Sequence, residues 1–329
     1  MKVLVYDTHS YDRTFLDEAN GGRHQLDYTA AQLDQQTAAL AEGYDAVCLF
    51  VNDHASAPVL ARLAAGGVRV IVQRSTGYNN IDLAAAAEHG ITAMRVSFYS
   101  PYAVAEHAVA LLMTLNRRIH RAYNRTREFN FRIAGLLGRD IHGTTVGVVG
   151  TGKIGAIFAR IMRGFGCELI GYDVRENPEC HELGMRYVEL GELWPACDIV
   201  SLHAPLTPET HHLVNADSLA RMKPGAFLIN TSRGGLVDTE ALIAALGNGH
   251  LAGVGLDVYE EEAGKFFRDL SDAPMSDDTL ARLMTFPNAL VTGHQAFFTQ
   301  EAVTTIAETT IRNLDDFAAG RESDNTLRA

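Results

Sequence analysis

The stretch "TVGVVGTGKIGAIFARIMRGFGCELIGYD", residues 145–173, decides the fold. Its Val- and Gly-rich start reads as a buried strand, and G-T-G-K-I-G follows directly, placing glycines at Gly150, Gly152 and Gly155. In such a strand–turn–helix the first glycine permits a tight turn and the second lets a pyrophosphate approach the backbone. The third lets helix and strand pack closely. A helix from Ile154 points its N-terminal amides at the phosphates. The next strand, ELIGYD, ends at Asp173, about 20 residues on, where a ribose 2′-hydroxyl requires a carboxylate. G-x-G-x-x-G alone is weak, and its bland reading is a glycine-rich turn without a ligand. The flanking strand, helix and acid-terminated second strand favour a nucleotide. Asp173 also repels a 2′-phosphate, which favours NAD over NADP; Arg175 is the nearby group able to accommodate that phosphate.

This fingerprint begins near the middle of a 329-residue chain, long enough for two domains. On both sides β-rich runs alternate with helical stretches, the pattern of an α/β protein with parallel sheets. Before it lie the strand candidates KVLVYD, AVCLF, VRVIVQ and TAMRV, with LDQQTAALAEG and APVLARLAAGG as helical pieces between them. No phosphate loop occurs there, so this half is predicted to be a smaller doubly wound domain without a nucleotide. "SPYAVAEHAVALLMTLNRRIHRAY" then predicts one long connecting helix, with Ser100 as N-cap and Pro101 at the first helical position. Val104, Ala108, Leu111, Leu112, Leu115, Ile119 and Ala122 fall on one apolar face of it.

After the fingerprint, DIVSLH, AFLINTS, VGLDV and ALVTGH complete a dinucleotide-binding sheet of six strands. "TQEAVTTIAETTIRNLDDFAAG" predicts a last helix that ends near Gly320 and packs back on the first domain. The expected class is α/β with two doubly wound parallel-sheet domains. A Rossmann NAD-binding domain of residues 100–298 is inserted in a flavodoxin-like substrate domain of residues 1–99 and 299–329.

Composition excludes several classes. The 47% hydrophobic and 21% charged content is that of a globular protein, and no apolar run reaches the roughly 18 residues of a membrane span. A net charge of −12 argues against a nucleic-acid surface. "MKVLVYDTHSYD" lacks the apolar region and cleavage site of a signal peptide, so a cytoplasmic location is expected. Cys48, Cys167, Cys180 and Cys197 form no Cys-x-x-Cys pair, and Cys180-His181 has no second ligand pair, so no metal is expected. The basic run "NRRIHRAYNRTREFNFR", residues 116–132, reads as a solvated or interdomain helix face rather than an anion site.

Three later stretches each close a strand: "NTSRGGLVD" (230–238), "LDVYEEE" (256–262) and "TGHQAFF" (292–298). Carboxyl ends of strands are where open α/β sheets bind ligands. Arg233 can fork onto carboxylate or carbonyl oxygens. His294 can exchange a proton near neutral pH, and Glu262 can hold its imidazole. Singly, each has a bland reading as a surface ion pair, a satisfied histidine or a helix-capping acid.

In this order the fingerprint, S-R-G-G-x-V-D, L-D-V-Y-E-x-E and T-G-H-Q-A-F resemble the D-isomer-specific 2-hydroxyacid dehydrogenases, most of all their fermentative D-lactate dehydrogenase branch. The likeness runs nearly end to end, through FVND near residue 50, R-x-x-G-x-N-N-I-D at 74–82, YSPYAVAEHA at 99–108, LNRRIHRAYNRTRE at 115–128 and H-x-P-L-T-P at 203–208.

The resemblance implies NADH-dependent reduction of a 2-keto acid to the D-2-hydroxy acid, pyruvate to D-lactate first among them. It implies Arg233 as the substrate-binding arginine, His294 as the general acid/base and Glu262 as its partner. Thr76 and Gly77 would offer backbone N–H groups to the substrate carboxylate, with Tyr99 and Phe297 also at the substrate. On the cofactor side stand Gly150, Gly152, Lys153, Ile154 and Gly155 at the pyrophosphate turn and Asp173 at the ribose. His203, Ala204 and Pro205 would form the adenine–ribose wall. Thr210, Thr231, Ser232, Arg233, Asp257 and His294 would continue toward the nicotinamide. The resemblance also implies a homodimer or homotetramer.

The chain departs from the family at "VSFYSP", where many relatives read V-P-A-Y-S-P. Ser97, a bulky Phe98 and, further on, Tyr102 would either reshape the pocket or point into the core. A larger substrate such as phenylpyruvate or 2-ketoisocaproate is the alternative within the class. An NADH-sensing corepressor, without turnover, is the alternative outside it. Formate dehydrogenases share the order of motifs but carry glutamine where this chain has Glu262.

Overall fold

The computed structural model describes residues 1–328. These form two compact units, one of Met1–Ser100 together with the chain from Phe298 onward, the other of Pro101–Phe297.

In the first unit β1 (Lys2–Val5), β2 (Gln25–Tyr28), β3 (Ala46–Leu49), β4 (Val70–Gln73) and β5 (Thr92–Arg95) form a parallel sheet of order β2-β1-β3-β4-β5. Helices α1 (Ser10–Asn20), α2 (Ala57–Ala65) and α3 (Leu83–Glu88) connect them. Every residue of β3 and β4 is buried, as in parallel strands covered on both faces. Two sequence expectations are corrected here. β2 was not among the four candidates, because "QLDY" is a half-exposed edge strand without an apolar run. "LDQQTAALAEG" forms only a short 3₁₀ turn, Thr37–Ala41, rather than an α-helix.

The C-terminal helix, Gln300–Ala318, starts at Thr299, whose hydroxyl accepts the Ala302 N–H. Its Ala307, Ile311 and Leu314 pack with Val3, Val5, Leu16, Val70 and Val72 of the first unit. Beyond it the tail is laced to β5. Arg95 N–H donates to Asn325 O at 2.9 Å, and Leu327 N–H to Ala93 O at 2.8 Å. Both chain ends therefore build this unit.

The second unit contains α4 (Pro101–Asn116), α5 (Ile119–Arg127), β6 (Thr145–Val149), α6 (Lys153–Gly164), β7 (Glu168–Tyr172), α7 (Pro178–Glu182), β8 (Arg186–Tyr187) and α8 (Leu190–Ala196). It continues with β9 (Ile199–Leu202), α9 (Ala216–Arg221), β10 (Ala226–Asn230), α10 (Thr239–Gly247), β11 (Leu251–Leu256), α11 (Asp278–Thr285) and β12 (Ala289–Val291). The sheet is parallel throughout, in the order β12-β11-β10-β9-β6-β7-β8. The strand order reverses between β6 and β9, the topological switch point at which doubly wound sheets bind ligands. Apolar residues of α4 and α6 cover one face of the sheet. Those of α8, α9 and α10 cover the other.

Seven strands stand where six were expected, because β8 has two residues and carries no periodicity. The single long helix is also corrected. It breaks after Asn116, Arg118 takes φ 51°, and α5 restarts at Ile119 with no buried residue. Val104, Ala108, Leu111, Leu112 and Leu115 are buried as their spacing predicts, whereas Ile119 is 53% exposed. Among the described residues no helix is long and apolar enough to cross a membrane.

Candidate active site

The three glycines after β6 divide their work by position. Gly150 takes φ 91°, and a Cβ on it would lie 2.6 Å from the backbone of His203 and Ala204. A Cβ on Gly155 would lie 2.0 Å from Gly150 O, so only glycine lets α6 approach the turn. Around the Cβ position of Gly152 nothing lies within 4 Å. The middle glycine therefore faces open space at the N-terminus of α6, where Lys153 and Ile154 begin the helix. Asp173, one residue past β7, is aimed at the same turn. Its Oδ2 accepts the Thr151 N–H at 2.5 Å and the Thr151 hydroxyl at 3.2 Å. Its Oδ1 accepts the Arg175 N–H at 3.1 Å, while the Arg175 guanidinium makes no hydrogen bond among the described residues.

Beyond β9, His203 places Nε2 2.9 Å from the Ser201 hydroxyl, and its ring lies tilted on Phe158 at 4.9 Å. Burial lowers the His203 pKa to about 3, so this imidazole is neutral. Ala204 is buried, Pro205 exposed, and Thr210 closes the turn by donating to Pro205 O at 2.7 Å. After β10, Asn230 Oδ1 accepts the Ser232 N–H at 3.0 Å. Two buried polar atoms near these strand ends, His203 Nδ1 and Thr231 Oγ1, have no hydrogen-bond partner. Buried polar atoms are normally paired. With the open space at Gly152 and the carboxylate of Asp173, these atoms fit a dinucleotide.

His294 follows β12 with φ 55°, a left-handed conformation uncommon for a side-chain-bearing residue. It is held there by its N–H, which donates to Asp257 O at 2.7 Å. Its Nδ1 meets Glu262 Oε1 at 2.8 Å, and Glu262 Oε2 accepts the Tyr259 N–H at 3.1 Å. With Nδ1 engaged by the carboxylate, Nε2 is the ring nitrogen left for a substrate. Arg233, just past β10, is exposed. Its one side-chain hydrogen bond among the described residues runs from Nη1 to Ser232 O at 2.7 Å. The next residue fixes this loop, because a Cβ on Gly234 would lie 2.1 Å from the Tyr259 backbone. Arg233, Glu262 and His294 thus stand at the carboxyl ends of three successive strands, β10, β11 and β12. Phe297, partly buried, ends this unit.

Asp257 acquires a role that its sequence position did not reveal. It is fully buried, and its carboxylate accepts the N–H groups of Gln295 (2.9 Å) and Ala296 (2.7 Å) and the Thr292 hydroxyl (2.5 Å). Burial pushes its carboxyl pKa up, but hydrogen bonds from His107, Thr292 and the two amides outweigh that and leave it below the ordinary value. Asp257 shapes the loop that carries His294. His107 on α4 joins it, with Nε2 3.1 Å from Thr292 Oγ1 and 3.4 Å from Asp257 Oδ1. Nothing local in "YSPYAVAEHA" singled out His107, since its partners lie about 150 to 185 residues further along the chain.

In the first unit, the carbonyl of Thr76 is taken by Arg95 Nη1 at 2.9 Å and that of Gly77 by the Ser75 hydroxyl at 2.7 Å. The N–H groups of Thr76 and Gly77 make no hydrogen bond among the described residues. Successive unpaired amides of this kind form a concavity that suits an anion. Tyr99 is partly exposed, Ser97 donates to Asn325 Oδ1 at 2.6 Å, and Phe98 is 47% exposed, so Phe98 does not point into the core.

Comparison with known proteins gives a consistent result. A family model described as "D-isomer specific 2-hydroxyacid dehydrogenase, NAD binding domain" matches residues 109–296. The chain is 52% identical to 2-hydroxyacid dehydrogenase A of Aspergillus oryzae, over 99% of this chain and 95% of that protein. Among solved structures it is similar to the pyruvate reductase of Chlamydomonas reinhardtii, with a TM-score of 0.95, 44% identity, and 99% and 98% of the two chains covered. It is similar also to the D-lactate dehydrogenase of Escherichia coli, with a TM-score of 0.92, 45% identity, and 99% and 100% covered.

Proposed function

The chain belongs to the D-isomer specific 2-hydroxyacid dehydrogenase family, and from that premise we propose that it reduces pyruvate to D-lactate with NADH. It is an NAD-dependent oxidoreductase. The observation that carries it is the 2.8 Å His294–Glu262 pair, on the same sheet whose β6 leads into the glycine turn. The D-lactate dehydrogenase and pyruvate reductase named for its relatives support pyruvate as the substrate.

When bound, NADH supplies a hydride to the carbonyl carbon of the 2-keto acid. The amides of Thr76 and Gly77, unpaired among the described residues, suit a carboxylate. The planar fork of Arg233 orients the substrate oxygens, a positioning effect able to supply much of the rate. His294 gives the Nε2 proton to the carbonyl oxygen while Nδ1 stays on Glu262. The carbonyl π bond is replaced by one C–H and one O–H bond, and each turnover consumes one NADH and one proton. In the reverse direction neutral His294 accepts the hydroxyl proton.

The bulk of Phe98 and the bulk of Phe297 each favour a small keto acid. A hydrophobic pocket discriminates a methylene by only about 1–3 kcal/mol, so some turnover of 2-ketobutyrate accompanies pyruvate. The chain works as a homo-oligomer joined through the segment after α5. There Phe129, Phe131, Ile133 and Leu137, large apolar side chains within nine residues of sequence, are 72–87% exposed. The test of the substrate is NADH oxidation with pyruvate, hydroxypyruvate, phenylpyruvate, 2-ketoisocaproate and oxaloacetate. Pyruvate is expected to give the highest kcat/KM, and a higher value for phenylpyruvate would overturn the proposal.

A further inference from the structure

We propose that His211, His212 and Glu260 form a binding site for a divalent transition-metal ion, with zinc as the representative. Among the described residues they are the one group of three such side chains whose ligand atoms all lie within 4.8 Å of one another. His212 Nε2 already meets Glu260 Oε1 in a short hydrogen bond, and the His211 ring stacks on the His212 ring at 3.9 Å. Two imidazoles and one carboxylate suit zinc, nickel, cobalt or copper far better than calcium or magnesium, which take oxygen ligands. Three protein ligands leave a coordination position open to water.

Two of the three ligands are held in advance. His212 takes φ 50°, with its N–H on Gly235 O at 2.8 Å and its carbonyl accepting from Asn215 Nδ2 at 3.0 Å. Glu260 Oε2 accepts the Thr239 hydroxyl at 3.2 Å, the kind of outer hydrogen bond that fixes a ligating carboxylate. The metal would replace the proton shared by His212 and Glu260. Ligand atoms in a tetrahedral zinc site stand about 3.4 Å apart, so the widest pair closes by up to about 1.4 Å while the hydrogen-bonded His212–Glu260 pair opens. Coordination also asks His211 to turn out of the stack, which its exposure allows. A bound ion would tie the turn after Pro205 to the loop after β11, two segments that carry proposed cofactor and catalytic residues.

The experiment uses the full chain without an affinity tag, freed of metal with a chelator and titrated with Zn²⁺. Binding is read by calorimetry and by metal content after dialysis. One equivalent of zinc per chain is expected, with the affinity reduced at least tenfold in His211→Ala and unchanged in His181→Ala. His181 lies in an exposed His181–Glu176 pair and controls for surface histidines. Because His211 is exposed, its removal leaves the fold intact, which circular dichroism checks. Co²⁺ offers an independent reading, since its visible absorption reports inner-sphere nitrogen ligands and is expected to weaken in His211→Ala. No stoichiometric binding, or binding and spectrum unchanged in His211→Ala, would overturn the proposal.

Discussion

At the scale of single residues, His294 depends on partners that fix its position. Glu262 holds Nδ1, and Asp257 binds the loop from Thr292 to Ala296. Glu262→Gln keeps a hydrogen bond but loses the charge that strengthens it, so kcat/KM for keto-acid reduction is expected to fall by about tenfold. His294→Ala is expected to lose about 10²–10⁴-fold. Steady-state rates with NADH saturating decide both, and a His294→Ala enzyme with most of its activity would send the search for the proton donor elsewhere. Asp257→Asn is expected to cost about 2 kcal/mol, read as a shift in urea midpoint. The pKa of Asp257 is held below its ordinary value, so its contribution is present above the unfolded-state pKa and is lost as pH falls through the folded one. The gap between parent and Asp257→Asn should stay constant from pH 5 to pH 8 and narrow below about pH 4. A gap that instead widens in acid would contradict the hydrogen-bond assignment. The positions of Arg233, Glu262 and His294 after β10, β11 and β12 were legible in the sequence because each follows a strand within a recognisable motif. His107 and the true partners of Asp257 were not, because they depend on where α4 packs.

At the scale of elements, the glycine turn separates packing from ligand access. Gly155→Ala puts a methyl into the Gly150 carbonyl and is expected to destabilise the protein by about 1–3 kcal/mol. Gly152→Ala meets open space in the protein, so its thermal midpoint should stay near that of the parent. Its Kd for NADH should rise about tenfold or more, because the methyl occupies the face left for the pyrophosphate. Calorimetric binding and thermal melts of both variants test this, and a Gly152→Ala protein with parental NADH affinity would refute the cofactor placement. The same scale shows where periodicity runs out. Buried strands such as β3 and β10 announce themselves through apolar runs, whereas the edge strands β2 and β8 are short and half-exposed. The helix break at Arg118 has no Pro or Gly to mark it, and the pattern that predicted a continuous helix simply loses its buried face after Leu115.

At the scale of the whole molecule, the second unit is continuous in sequence and the first is assembled from both chain ends. That arrangement was legible from the central position of the fingerprint and the amphipathic last helix. Phe129 and Phe131 of the exposed apolar segment lie in the basic run 116–132 and Ile133 and Leu137 lie beyond it, and charge pattern does not reveal which neighbouring side chains find a core. If the proposed homo-oligomer forms through this segment, replacing Phe131 and Leu137 together by Asp should give a monomer in sedimentation velocity, and an unchanged sedimentation coefficient would contradict that interface. The central claim is the reaction itself. It is tested most directly by incubating the full chain with pyruvate and NADH, then measuring the enantiomers of lactate by chiral chromatography against the NADH consumed. One D-lactate per NADH is the expected result; L-lactate, a racemate, or NADH that binds without lactate being formed would contradict it.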